Sequence, residues 1–485
     1  MRGLNDRLPH SAIAVPESRG ALDTADFGAR SGRPRTDTLA WATAAILSLL
    51  LLLAPALWNG YPILQWDTGG YLARWYEGYL VPSRPGAYGL FITAAVPLAF
   101  WPNILIQAAA TVWILALVLR THGLAQGPWN LLLVTGILSV ATALPFIASL
   151  LLTDIFCGLA VLALYLLVFR GDRLGRFTRG ALIGFSGFAA ATHSATFGLL
   201  ALLVLAALLA HFLFRNSVRI PPPGIRRAGC AVALGLLLTF AGNYAVSRQW
   251  AWTPGGYGIL FGRMLEDGIV KRYLDARCPD PQLKLCAHRF TMPQTADAFL
   301  WGNSVFNDLG RFAGLGAEMQ VIVVGSLKDY PLLQLKAAIA ATGKQLFSVG
   351  TGEGVVNTLW HTYGIMERFT PQALPAMRAA RQQRGEMGFA TANILHRPVA
   401  ILSILALPLL ILLARRTRRL AELKSLATAA TLAILGNAAI CGVLSNPHDR
   451  YGSRLAWVAT LVLLVAAIAA LQSPQPLQGE PPPAA

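Results

Sequence analysis

The sequence predicts an all-α polytopic membrane protein with about ten transmembrane helices. Of its 485 residues, 55% are hydrophobic and only 13% are charged, and the mean hydropathy is +0.52. Soluble domains carry about 25% charged residues. Apolar stretches long enough to cross a bilayer recur along the chain, and such stretches span membranes as helices. The lipid bilayer is therefore the first partner that the sequence predicts.

The positions of the arginines explain the net charge of +17. Basic clusters at 170–180, 214–227 and 415–424 separate apolar stretches, and residues 1–38 are polar and Arg-rich. Because positively charged loops stay on the cytoplasmic side of a membrane, all four segments are predicted to be cytoplasmic. A nucleic acid partner is therefore not expected.

Eleven apolar stretches occur, and the basic segments predict that ten of them cross the membrane. They lie at roughly 39–59, 87–101, 103–120, 129–150, 153–170, 180–193, 195–214, 228–247, 398–414, 424–445 and 455–472. Two crossings within 87–120 would move the basic segment 170–180 to the outside. Residues 87–101 are therefore predicted to form an interfacial helix, which leaves both termini in the cytoplasm.

The same threading predicts the domain organisation. The predicted parts are a disordered cytoplasmic tail at 1–38, a transmembrane domain at 39–247 with a first outer loop at 60–86, a small extracytoplasmic helical domain at 248–397, the last three transmembrane helices at 398–472, and a disordered tail at 473–485. The large loop is too long for a linker and has helical patterns. It contains Cys278 and Cys286, which an oxidising compartment would join in a disulfide.

The first outer loop provides the first candidate site residues. Asp67 lies among aromatic residues in "LQWDTGGYL", where partial burial would raise the proton affinity of its carboxylate and make it a usable general base. A solvated surface carboxylate is the alternative. Arg84 precedes Pro85 and Tyr88 at the start of the interfacial helix. Its guanidinium is expected either to bind a phosphate or to reach a lipid headgroup.

Two further candidates lie at outer corners between predicted spans. Asp154 is surrounded by hydrocarbon side chains, where a charge is costly and usually functional. The alternative is that Thr153 and Asp154 only cap the helix that follows. His193 lies at the next outer corner, where it either packs or belongs to the site.

The segment "NPHDRYGSR" is the densest polar cluster outside the large loop. It contributes His448, Arg450, Tyr451 and Arg454 between the last two spans. Positive charge on the outer side runs against the topology rule, so the segment is expected to bind an anion such as a pyrophosphate. An internal salt bridge with Asp449 is the alternative.

The order of these elements resembles the GT-C superfamily of membrane glycosyltransferases. That family has a first span, an outer loop with an acidic motif, a basic-Pro-Pro element, and a second acidic site at the outer end of the third span. "WDTGGYL" with Asp67, "RPGAYGLF" with Arg84, and Asp154 stand at these places, although Gly86 replaces the second proline. The chain also resembles bacterial integral membrane proteins with "HDRY" and Asp-Thr-Gly elements, which implies the bacterial inner membrane.

The resemblance implies an inverting glycosyltransferase whose donor is a polyprenyl-phosphate sugar and whose acceptor belongs to the cell envelope. Asp67 would be the base, and Asp154 would orient the site or help to hold a divalent metal, Mg²⁺ or Mn²⁺. The residues expected to bind substrate are Arg84, Tyr88, His193, His448, Arg450, Tyr451 and Arg454. No metal-ligand motif accompanies them. Two other functions stay open: a transporter or flippase of envelope precursors, and a non-catalytic scaffold that displays residues 248–397.

Overall fold

The protein is helical throughout the residues that the computed structural model describes, which are 35–125, 127–214, 220–254, 256–416 and 418–471. No strand occurs within these ranges, so the predicted all-helical class is confirmed. The tail predicted at 473–485 lies outside the described residues. So does most of the tail predicted at 1–38, because the first helix already begins at Arg35.

Twenty-one α-helices follow one another in the described part of the chain. They are α1 (Arg35–Asn59), α2 (Trp66–Glu77), α3 (Ala87–Thr93), α4 (Trp101–Thr121), α5 (Trp129–Ala141), α6 (Leu144–Ala148), α7 (Asp154–Phe169), α8 (Arg176–Thr192), α9 (Ser194–Leu213), α10 (Pro222–Ser247), α11 (Gly256–Glu266), α12 (Ile269–Arg277), α13 (Ala296–Leu300), α14 (Val305–Asp308), α15 (Arg311–Asp329), α16 (Pro331–Phe347), α17 (Trp360–Phe369), α18 (Leu374–Ala379), α19 (Phe389–Arg416), α20 (Lys424–Leu444) and α21 (Asp449–Leu471). Short 3₁₀ turns connect several of them.

Seven of the described helices are long and apolar enough to cross a membrane. These segments are Thr38–Asn59, Trp101–Thr121, Ser194–Leu213, Pro222–Ser247, Phe389–Ala414, Leu420–Leu444 and Asp449–Leu471. They indicate a multi-pass membrane protein. The apolar helices α5 and α7 are shorter, at 13 and 16 residues.

The predicted interfacial helix at 87–101 is shorter than expected. Helix α3 ends at Thr93, a 3₁₀ turn follows at Val96–Leu98, and α4 begins at Trp101. Ala99 and Phe100 both adopt left-handed backbone conformations, which no helix can continue. The chain therefore turns sharply here before it enters α4.

The segment predicted as one domain at 248–397 contributes to two hydrophobic cores. Its first part, from α11 to α16, has a core of its own that includes Phe261, Phe299 and Met319. Cys278 and Cys286 are joined by a disulfide at the edge of this part. The second part, from Val349 onward, packs instead against the main core of the helix bundle. The site described below lies where these two parts meet the bundle.

Polar side chains gather at the two ends of the bundle. At one end, Arg170 pairs with Glu422 at 3.2 Å, and Arg227 pairs with Asp172 at 3.4 Å. These residues come from the segments whose charge predicts a cytoplasmic position. The other end carries the candidate site, because the residues expected on the outer face meet there.

Candidate functional site

Helix α2 places Asp67 in its first turn. The helix begins with a reciprocal cap in which the Gln65 side chain accepts a hydrogen bond from the Asp67 amide at 2.8 Å. The Thr68 hydroxyl accepts a hydrogen bond from the Gln65 backbone amide at 3.0 Å. Gly78, with φ of +73°, ends the helix one turn after Arg74. The caps fix α2, so the direction of the Asp67 carboxylate is set by the backbone.

The Asp67 carboxylate bridges two arginines from distant parts of the chain. Oδ1 lies 2.6 Å from Nη2 of Arg84, and Oδ2 accepts a hydrogen bond from Nη1 of Arg450 at 2.8 Å. The three side chains are only 14%, 20% and 15% exposed. Two guanidiniums that hold one oxygen each of an anionic group form the arrangement that proteins use for carboxylates and phosphates.

The electrostatics of Asp67 correct one expectation from the sequence. Burial raises the pKa of the carboxyl, but Arg84 and Arg450 together lower that pKa by more, and it falls well below its ordinary range. The expectation that partial burial makes Asp67 a stronger base is therefore wrong for this arrangement. Asp67 is a stable anion as long as both arginines contact it.

A second ionic group holds the start of α21. The Arg450 amide donates a hydrogen bond to Oε2 of Glu353 at 2.8 Å. Nδ1 of His448 lies 2.7 Å from Oε1 of Glu353, and its Nε2 lies 3.5 Å from Oδ2 of Asp297. Burial lowers the pKa of His448, but the two carboxylates outweigh this effect and raise the pKa to about 10. His448 is therefore an imidazolium that joins both parts of the 248–397 segment to the bundle.

A third group lies one turn deeper. Nη1 of Arg454 is 3.5 Å from Oδ1 of Asp154, and Nη2 of Arg454 donates to Oδ1 of Asn437 at 2.6 Å. Arg454 is 1% exposed and Asp154 is 5% exposed. Asp154 opens α7, where Thr153 makes no side-chain capping hydrogen bond. Asp154 thus faces a buried cation and is more than a helix cap.

The remaining predicted residues surround these groups. The Tyr451 hydroxyl accepts a hydrogen bond from Arg450 at 3.1 Å. Tyr88 is fully buried, and its ring packs edge-on against Tyr71. Its hydroxyl donates a hydrogen bond to Oε1 of Gln107 at 3.4 Å, so Tyr88 stabilises the site by packing. His193 caps α9 by accepting a hydrogen bond from the Ala195 amide at 3.3 Å.

The proposed internal partner of the basic outer segment, Asp449, is engaged elsewhere. Asp449 pairs with Arg397 of α19 at 2.5 Å. Asp449 balances the charge of Arg397. Arg450 pairs instead with Asp67, and Arg454 pairs with Asp154. The alternative of a salt bridge within the segment is therefore wrong, because Asp449 and both arginines pair with residues outside it.

The space inside the site is small. A cavity of about 30 Å³ is lined by Asp154, Glu353 and Arg450 together with apolar side chains such as Phe146 and Phe389. A water molecule needs about 10–15 Å³ measured in this way, so one or two waters fit and a sugar does not.

The residues do not fit a divalent metal ion. Both oxygens of Asp67 contact guanidiniums, and Asp154 faces Arg454, so cations already occupy the directions from which a metal would bind. Among the described residues, no group of three His, Cys, Asp or Glu side chains is arranged to hold a metal.

Four residues of the site were missed by sequence reasoning. Glu353 and Asp297 lie in the long loop, where nothing distinguishes them from solvated acids. Asn437 is one of the few amides within a predicted span, which is the signal that would have found it. Arg74 lies in the same outer loop as Asp67, and its helical spacing from Asp67 was the available signal.

Comparison with known proteins gives no assignment, since no family model, no curated protein and no solved structure matches the chain. Over the residues that the structure describes, the chain is all-helical, with seven apolar helices of membrane-spanning length and a buried cluster of arginines and carboxylates at one end of the bundle.

Proposed function

We propose that the protein is a GT-C-like glycosyltransferase of the bacterial inner membrane, acting on its outer face with a polyprenyl-phosphate sugar as donor. The observation that carries the proposal is the Asp67 carboxylate held between Arg84 and Arg450. A phosphate group has the charge and the oxygen spacing to take the place of that carboxylate. In this proposal Asp67 is the internal counter-ion that a bound phosphate replaces.

Replacement of the Asp67 carboxylate by a donor phosphate explains how Asp67, a weak base while both arginines contact it, becomes able to accept a proton. When the donor phosphate engages Arg84 and Arg450, the Asp67 carboxylate loses the two contacts that lower its pKa, and burial then raises its proton affinity. The acceptor oxygen attacks the anomeric carbon, the bond from that carbon to the phosphate oxygen breaks, and its electron pair goes to the phosphate. The proton of the acceptor hydroxyl moves to Asp67, and the two guanidiniums stabilise the charge on the leaving phosphate.

The proposal includes ten crossings with both termini in the cytoplasm. The seven long apolar helices, together with α5, α7 and α8, correspond to the ten predicted spans. Support comes from the grouping of polar residues, because Asp67, Asp154 and Arg450 share one end while Arg170 and Glu422 share the other. Topology reporters at the exposed residues Gly123 and Gly175 test this count. Cytoplasmic signals from the reporters at both residues support ten crossings, and an extracytoplasmic signal at Gly175 overturns this count.

The function is tested by mass spectrometry of envelope lipids and glycans from a deletion strain. The strain is complemented with wild type, Asp67→Asn, Arg450→Gln or the control Asp172→Asn, whose side chain is 81% exposed at the other end of the bundle. We expect a glycan that disappears on deletion and returns with wild type and the control only. A glycan profile that deletion does not change, or that Asp67→Asn restores in full, overturns the proposal.

The scaffold function is the second candidate, and one observation favours it. The cavity of about 30 Å³ has no room for a substrate, and ion pairs join the 248–397 segment to the bundle through His448. A scaffold needs these contacts for rigidity alone. In that case Asp67→Asn lowers stability without changing any glycan.

A transporter or flippase is distinguished by accumulation of an unmodified lipid precursor on the inner face after deletion.

A further inference from the structure

Arg74 is a buried cation that the proposed mechanism does not use. It lies in the last turn of α2 and is 2% exposed. Its guanidinium stacks on the Tyr71 ring, with 4.4 Å between Cζ and the ring centroid. Neither Nε nor Nη2 donates a hydrogen bond to any described residue. A buried charged donor without a partner is costly, so this arrangement calls for an explanation.

The two unpartnered atoms form the side of a guanidinium that binds two oxygens at once. Elsewhere in this chain the same pair of atoms is used in that way. Nε and Nη2 of Arg263 contact the two carboxylate oxygens of Asp267, and Nε and Nη2 of Arg384 contact those of Glu386. Arg74 therefore presents a bidentate donor pair that matches a carboxylate or a phosphate.

The surroundings of Arg74 carry an excess of positive charge. Burial and, to a smaller extent, the charge of Arg84 lower the pKa of Arg74, Tyr71 and Asp67 act in the opposite direction, and the pKa falls to about 10. Arg74, Arg84 and Arg450 all lower the pKa of Asp67, and among the carboxylates only Asp67 contacts the Arg84 guanidinium in the described residues. An additional anion beside Arg74 would therefore meet favourable charge. Such an anion would lie at the outer ends of apolar helices, at the depth where lipid phosphates are found.

We propose that Arg74 and Arg84 form an anion site for a phosphate group, with Nε and Nη2 of Arg74 binding two phosphate oxygens. The phosphate reaches the site when Arg84 releases Asp67. The inference rests on the proposed function only in taking a phosphate as the ligand of the outer cluster. It adds Arg74 as the residue that determines phosphate affinity. The phosphate belongs either to a lipid headgroup or to a free anion.

The experiment measures ligand-induced thermal stabilisation of the purified full-length protein in detergent. The probes are inorganic phosphate, compared with chloride at equal ionic strength, and farnesyl phosphate, compared with farnesol. The variants are Arg74→Gln, Arg74→Lys and the control Arg368→Gln. Arg368 is 70% exposed and pairs with Glu77 of the same helix α2. Loss of a charge-assisted bidentate contact predicts binding that is about tenfold to a hundredfold weaker in Arg74→Gln, with the control unchanged.

The outcomes separate the two sources of phosphate and the two proposals. Saturable stabilisation by both probes indicates a site for phosphate in general, and stabilisation by farnesyl phosphate alone indicates a lipid phosphate. No saturable effect of either probe on wild type overturns the site, and so does unchanged affinity in Arg74→Gln. If Arg74→Gln does not fold, Arg74→Lys decides, because it keeps the charge and loses the bidentate pair. Phosphate binding that depends on Arg74, without any glycan change in the deletion strain, leaves this site standing and refutes the glycosyltransferase.

Discussion

Replacing Asp67 with asparagine tests the central ion cluster most directly. The substitution keeps the size of the side chain and removes its charge. The amide can still accept one hydrogen bond, so one of the two contacts with Arg84 and Arg450 is lost. Both arginines then remain in a site where they are 20% and 15% exposed, without a counter-ion in contact.

The expected loss of stability follows from this geometry. A hydrogen bond to a charged group contributes about 1.5–3 kcal/mol, and unpairing a fully buried ion costs about 3–5 kcal/mol. Since the three side chains are partly hydrated, we expect Asp67→Asn to lower the free energy of unfolding by about 2–4 kcal/mol at pH 7. The control Asp172→Asn breaks an exposed pair with Arg227 and should change it by less than about 1 kcal/mol.

The pH dependence gives the same experiment a second readout. The pKa of Asp67 is lowered by folding, so its contribution is complete above the pKa of the unfolded chain, about 3.9, and declines as the pH falls toward the folded value. The difference between wild type and Asp67→Asn should be constant above about pH 5 and shrink below about pH 4. Chemical unfolding in mild detergent, followed by tryptophan fluorescence, measures it. A stabilised variant, or a difference that does not change with pH, would refute the reasoning.

Three further predictions concern the neighbouring contacts. His448→Gln should lower the free energy of unfolding by on the order of 2–4 kcal/mol at pH 6, because folding raises the pKa of His448 to about 10. This loss of stability should fade as the pH rises from about 6.5 toward 10. A loss that is equal at pH 6 and pH 10 contradicts the prediction. Gly158→Ala should cost about 1–3 kcal/mol in the same unfolding assay, because its Cβ would lie 2.7 Å from the Trp457 ring, whereas the control Gly184→Ala meets no atom within 4 Å and should be neutral or slightly stabilising. Thiol labelling of the unfolded chain should modify the three free cysteines without reductant and all five with it, and five labelled thiols without reductant would exclude the disulfide of the large loop.

The helical class and the positions of most long helices could be predicted from the amino-acid sequence alone. Hydropathy predicts them because a helix that faces lipid must be apolar along its whole length, and this property is local. The same reasoning brought Asp67, Arg84, Asp154 and Arg450 to one side of the membrane. A charge at the end of an apolar stretch is visible without knowledge of any neighbour.

Which charges contact each other depends on the three-dimensional fold and could not be predicted. Asp67 and Arg450 are 383 positions apart, and no periodicity links them. The sign of the pKa change at Asp67 therefore could not be predicted, since burial and two cations act in opposite directions and only distances determine which effect is larger. Likewise, the spacing of Arg74 from Asp67 predicts at most a shared helix face and does not predict burial. The burial of Arg74 and its unused donors arise from how α2 packs against the rest of the fold.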